Sequence, residues 1–198
     1  MDVFRDISAI FVTSCYLFAC VFYSFLVHRK KVAPKLATWI IFSTATSIGV
    51  ATFISKNIGA LHWQIMTLQV SDFFSCIFIT TTLFVYGYHI RLTKFDRWCM
   101  AASGVILILW WVSKDPQLSN FFVQALIFVG YIPTVTNILK EKRHNESFVL
   151  WGSYFVASVV SFVPVLLFGE LISIVYSTRS TLMLLGMILL LIKFKNKK

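Results

Sequence analysis

The run FVLWGSYFVASVVSFVPVLLF, residues 148–168, carries no charged side chain over 21 consecutive positions. A helix that crosses the hydrocarbon core of a bilayer needs about 20 mostly apolar residues, so this segment is long enough to span. Its more polar members, Trp151, Tyr154, Ser158 and Ser161, recur at i, i+3, i+7 and i+10, which places them on one helical face. Two residues further on, 171–192 is apolar again and holds one cation, Arg179. Working outward, five more such stretches occupy 7–27, 36–55, 61–88, 98–113 and 118–139. A transmembrane barrel would show segments of about ten residues with alternating polarity, whereas these runs are continuous. Backbone facing lipid must form helices or a closed barrel. The reading is an all-α membrane protein with seven transmembrane helices.

Composition agrees. Of 198 residues, 58% are hydrophobic, 17% aromatic and only 13% charged, with mean hydropathy +0.80. Soluble domains carry about 25% charged residues, so a secreted disulfide scaffold, a disordered chain and an ordinary cytosolic enzyme are excluded. Cys15, Cys20, Cys76 and Cys99 have neither metal nor redox spacing, and in or beside apolar spans a free thiol acts as a small hydrophobe. No metal site is expected among them. The first span lacks a basic leader and a small-residue cleavage site before His28-Arg29-Lys30-Lys31, so it is expected to be a retained helix.

The basic residues sort by side. Fourteen of the 18 Lys and Arg fall in alternate connections and the tail: Arg29, Lys30, Lys31 and Lys35; Arg91, Lys94 and Arg97; Lys140, Lys142 and Arg143; Lys193, Lys195, Lys197 and Lys198. The opposite side holds Arg5, Lys56 and Lys114. The positive-inside rule then puts the N-terminus outside and the C-terminus in the cytoplasm of a multi-pass cell (inner) membrane protein. The net charge of +10 belongs to the cytoplasmic face. Anionic lipid is its expected partner, at about 1 kcal/mol per basic residue near the surface. Nucleic acid is not expected, because the topology rule already explains four short basic blocks.

A shift of 112 positions lays Lys30 on Lys142, Lys31 on Arg143 and Trp39 on Trp151. Each half reads as an apolar helix, a basic loop, then Trp early in the next helix followed by small residues. Phe128-Val129-Gly130-Tyr131-Ile132-Pro133-Thr134, the basic loop ending in Glu146-Ser147, and Trp151 resemble the motif region of PQ-loop proteins. That superfamily includes the SWEET sugar transporters, and the chain is in particular similar to small bacterial seven-helix members. Lys30, Pro34 and Trp39 repeat it in the first half; Asp96-Arg97-Trp98 and Trp110-Trp111 extend it to the middle. The resemblance implies two parallel three-helix bundles in a 3+1+3 arrangement, related by a pseudo-two-fold along the membrane normal. The first bundle would be 1–95, the linker helix 96–116 and the second bundle 117–198. Thr134 stands where the name-giving motif has glutamine, and neither third helix contains the asparagine of SWEET-type pockets. Sugar is therefore one candidate solute beside nucleosides, vitamins and amino acids.

Charges inside a bilayer are costly and mark pathways or sites. Only Asp72 and Arg179 lie within the seven spans, near mid-bilayer on the two matched third helices, so an intramembrane ion pair or a shared charged site is expected. His62, Gln69, Asp72, Cys76 and Thr80 share a helical arc of about 80°. Asn120, Gln124, Tyr131 and Thr134 form a second stripe, and the Trp151 face a third. The expected substrate-binding set is Trp39, Gln69, Asp72, Gln124, Tyr131, Trp151, Tyr154 and Arg179, with Pro133 and Pro164 as hinges because intramembrane proline favours a kink. The expected function is a transporter moving a small polar solute by alternating access through a midplane cavity. A seven-helix scaffold or sensor, docking lipid or a protein on its basic face, is the alternative. No HExxH, GxSxG or paired carboxylates are present, so neither enzyme activity nor a cofactor is expected. The expected partners are the solute, anionic lipid and a second copy of the chain in a homo-oligomer.

Overall fold

The structure, a computed structural model, describes residues 2–56, 62–86, 92–113, 115–141 and 146–194. The basic positions Arg91, Lys142, Arg143, Lys195, Lys197 and Lys198, and Lys114 on the other side, lie outside the described residues. The helices are α1 (Asp2–His28), α2 (Leu36–Lys56), α3 (Trp63–Val85), α4 (Lys94–Ser113), α5 (Pro116–Glu141), α6 (Phe148–Val160), α7 (Phe162–Phe168) and α8 (Leu171–Phe194). With α6 and α7 taken as one span, seven are long and apolar enough to cross a membrane. No strand occurs among the described residues. The chain is a multi-pass, all-helical membrane protein.

Local chemistry sets the ends. α1 stops in a Schellman motif: Lys31 N donates to Leu26 O and Lys30 N to Val27 O, both at 2.9 Å, and Lys30 is left-handed at φ 54°. Ser147 caps α6 by accepting from Leu150 N at 3.3 Å. Gly169, at φ 69°, turns α7 into α8.

Helix bounds depart from the sequence reading by up to five residues, α1 starting at Asp2 rather than at 7, and in two further elements the local chemistry gives the reason. α4 begins at Lys94 rather than at 98, because Thr93 and Asp96 form a reciprocal box: Thr93 N donates to Asp96 Oδ2 at 2.9 Å and Asp96 N to Thr93 Oγ1 at 3.1 Å. The expected span 148–168 is broken at Ser161, three residues before Pro164, whose ring leaves a carbonyl one turn back without its helical donor. α5, by contrast, continues through Pro133.

α3 packs on both α1 and α2, and α8 packs on α6 and α5. α1 also lies on α6 and α2 on α5. α4 packs mainly on α5 and is the least enclosed span, 17% buried, with Trp98 and Trp111 facing outward. Hydroxyl pairs stitch the helices: Thr38 to Thr134 at 2.9 Å, Ser43 to Thr80 at 2.8 Å, Thr181 to Ser158 at 3.0 Å and Thr82 to Ser24 at 3.2 Å. Such bonds average about 0.6 kcal/mol in a membrane protein, so the set matters more than any member. The tightest approach is at Gly130, where a Cβ would come within 2.7 Å of the Phe42 ring and 3.1 Å of Ile41. Gly130 lets α5 close on α2.

Candidate functional site

At the centre, α1, α2, α3, α5, α6 and α8 enclose a cavity of about 20 Å³. A site needs about 10–15 Å³ to hold one water, whereas ligand pockets run to about 300–1,000 Å³. The cavity has room for about one water and is too small for a solute.

Its walls are aromatic. Trp39 of α2 and Trp151 of α6 stack with ring centroids 6.2 Å apart, Tyr131 of α5 tilts against Trp151 at 5.8 Å, and Tyr16 of α1 stacks on Tyr154 of α6 at 4.3 Å. The two tryptophans matched by the 112-residue shift therefore meet face to face. Trp39 and Trp151 are buried at the first turns of α2 and α6, the Trp151 indole toward the Glu146 carboxyl and the Trp39 indole toward the Tyr23 hydroxyl. Ser75 and Tyr154 share a hydrogen bond.

Asp72 and Arg179 both line this cavity, and of the two arrangements that the sequence leaves open, a direct ion pair or a shared charged site, they do not form the direct pair. Tyr176 of α8 comes between them. Its hydroxyl donates to Asp72 Oδ2 at 2.6 Å, while the Arg179 guanidinium sits over its ring at 4.6 Å. Arg179 Nε donates instead to Gln124 Oε1 at 2.6 Å, and Gln124 Nε2 to Asn120 Oδ1 at 3.2 Å. Cys76 completes the line at the carboxylate, 3.6 Å from Asp72 Oδ1. The chain Asn120–Gln124–Arg179–Tyr176–Asp72–Cys76 thus crosses from α5 through α8 to α3. Arg179 Nη2 is buried without a partner, which leaves one charged donor free at the cavity.

Of the eight expected binding residues, Trp39, Asp72, Tyr131, Trp151, Tyr154 and Arg179 line the cavity. Gln124 stands behind Arg179 and orients it. Gln69 is buried but not in the wall; three residues before Asp72, it lies about 4.5 Å further along α3. Thr80, Thr134, Ser158 and Ser161, from the three expected stripes, serve helix contacts instead. The four cysteines are free, and no metal-binding cluster occurs among the described residues.

Sequence reasoning missed Tyr16, Tyr23 and Tyr176. On α1 the buried positions Val12, Tyr16, Ala19, Tyr23 and Val27 form a helical stripe that carried the signal. Tyr176 is one turn before Arg179 and so shares its face. Tyr16 also borders a lipid-facing groove of about 430 Å³ between α1 and α3, with Leu17, Met66, Val70 and Phe74 in its walls.

At the basic end, Tyr23 of α1 donates to Glu146 Oε2 at 2.7 Å, with both residues buried. Burial pushes the Glu146 carboxyl up to about 7; the Tyr23 hydroxyl and the Trp151 indole pull the other way.

Comparison of the chain with family models, curated proteins and solved structures finds no match.

Proposed function

We propose that the chain is a carrier for a small polar solute, built as two three-helix units joined by α4 and working by alternating access. The observation that carries this reading is the central cavity lined by both Asp72 and Arg179, with Arg179 Nη2 buried and without a hydrogen-bond partner. A single structural pair would leave no such donor, because a buried unpaired polar group costs free energy. A zwitterionic or carboxylate-bearing metabolite suits Arg179 at one end and Asp72 at the other.

The two-unit architecture has its own support. Under the 112-residue shift the limits of α2 fall on those of α6 and α7 together, and α1 falls within two residues of α5. The α1–α6 and α2–α5 contacts are then equivalent by an internal two-fold. This is the arrangement implied by the resemblance to PQ-loop proteins. The helix break before Pro164 is one hinge and Pro133 a second, through which the α5–α8 unit rocks. The N-terminus faces outward, and the basic connections lie on the cytoplasmic face of the cell membrane against anionic lipid. Transport is facilitated diffusion or coupled to protons.

The small closed volume favours one other reading, a seven-helix scaffold or sensor that moves no solute. A thermal-shift screen of the purified protein against sugars, nucleosides, vitamins and amino acids separates the two. A carrier is stabilised by one class, by about 2.7 kcal/mol at one hundred times its Kd, and Asp72→Asn abolishes the effect. Absence of any stabilising compound, together with no flux in proteoliposomes, would leave the scaffold.

A further inference from the structure

Below the central cavity, at the end where Arg29, Lys30 and Lys31 leave α1, the helices are closed by a short column of buried groups. Trp39 and Trp151 stack above, Tyr23 packs against Trp39 with ring centroids 5.6 Å apart, and Glu146 accepts the Tyr23 hydroxyl. Tyr23 is fully buried and Glu146 is 5% exposed. Glu146 is also next to Ser147, the N-cap of α6. The Tyr23–Glu146 bond therefore ties the last turns of α1 to the first turn of α6, across the contact of those two helices. A glutamate in a basic connection would ordinarily be solvated. Here it is enclosed.

Among the described residues, the groups around it leave its charge uncompensated. Tyr23 faces it from α1, and Trp151 from α6 offers an indole. α2 presents the uncharged Trp39 to Tyr23. Of the described cations at this end, Arg29 lies over the Phe25 ring, Lys140 over Phe95, Lys193 over Phe194 and His28 against Tyr86, and Lys30, Lys31 and Lys35 of the α1–α2 connection do not act on the carboxyl. Among the described residues no Lys, Arg or His acts on the carboxyl.

We propose that Glu146 is a proton-binding latch: protonated, it holds α1 against the start of α6 and seals the basic end of the cavity; ionised, it leaves Tyr23, takes water and opens that end. The proton released goes to solvent on the basic side, and no other reactant is needed. The latch stands whether or not a solute crosses, since it concerns the opening of the helices alone.

The sign follows from linkage. In the closed form the carboxyl titrates at about 7, and once exposed it returns to the ordinary 4.5. The closed form holds the extra proton between these values, so closure is fully favoured below about 4.5 and lost as pH rises to about 7. Across that window the closed-to-open ratio falls by about 300-fold, then levels off.

Hydrogen exchange on the full-length, solute-free protein in lipid nanodiscs tests this, read at the Leu150 and Trp151 amides in the first turn of α6. After scaling for the intrinsic rate, these amides are expected to lose about 300-fold in protection between about pH 4.5 and 7 and little more above it, while amides in mid-α3 stay unchanged. Glu146→Gln, a mimic of the protonated form, is expected to stay protected up to pH 8. Tyr23→Phe removes the donor that favours the ionised carboxyl and is expected to move the upper end of this window upward. A profile flat with pH in the native chain, or one unchanged in Glu146→Gln, overturns the latch. Should Glu146→Gln not fold, an unmoved upper end in Tyr23→Phe overturns it equally. Solute-induced stabilisation is read separately, so failure of the latch leaves the carrier reading standing, and the reverse.

Discussion

Tyr176 changes what Asp72 and Arg179 are to one another. Two opposite charges in direct contact neutralise each other locally, whereas a phenol between them keeps each partly available. The carboxylate is satisfied by a hydroxyl at 2.6 Å and the guanidinium by an amide and a ring, leaving Nη2 spare. Removing one partner of a fully buried pair costs about 3–5 kcal/mol. The partial exposure of Arg179 puts Asp72→Asn at or below the lower figure. Thermal denaturation is expected to show that loss in the single variant and recovery of most of it in Asp72→Asn with Arg179→Gln. If the double variant regains stability yet no longer responds to any solute that stabilises the native chain, the charges serve binding. Full recovery with an unchanged solute response would make them structural. The sequence made both charges legible, because nothing else in the spans is ionised. Their relay was not legible: Tyr176 reads as one more apolar-span aromatic until its distance to Asp72 is known.

Among the elements, α5 and α2 approach closely because one residue has no side chain. Gly130→Ala puts a methyl against the Phe42 ring, which itself packs edge-on to Tyr131 at 4.8 Å. Overpacking of this kind costs about 1–3 kcal/mol. The control is Gly186→Ala on α8, where a Cβ meets nothing within 4 Å; removing a helical glycine there is expected to stabilise by about 0.5–1 kcal/mol. Equal effects in a denaturation assay would remove the close-packing argument. Helix positions were readable within a few residues because lipid admits so few backbone arrangements. The start of α4 was misplaced because Lys94, Asp96 and Arg97 mask a capped first turn when only apolar length is scored. The break at Ser161 was foreshadowed by Pro164 alone, and proline is an uncertain guide, since Pro133 leaves α5 continuous. Glu146 was legible as part of the loop motif with Ser147, but its burial was not, because a position in a basic loop does not say what encloses it.

For the molecule as a whole, α1 packs on α6 and α2 on α5, contacts that the proposed two-unit architecture makes equivalent, and α4 contributes little enclosure of its own. Cutting the chain between α4 and α5 and co-expressing the pieces is expected to give a complex that copurifies. Cysteines placed at Thr38 and Thr134, whose hydroxyls lie 2.9 Å apart, are expected to cross-link the two pieces on oxidation. Pieces that fold yet fail to associate, or a cross-link that forms with either cysteine absent, would count against the two-unit architecture. Tyr16 carries a different consequence. On one side it faces the cavity of Asp72 and Arg179, and on the other the apolar groove between α1 and α3. The insulation between ionised groups and acyl chains is there a single ring thick, so the dielectric boundary of the protein runs through one side chain.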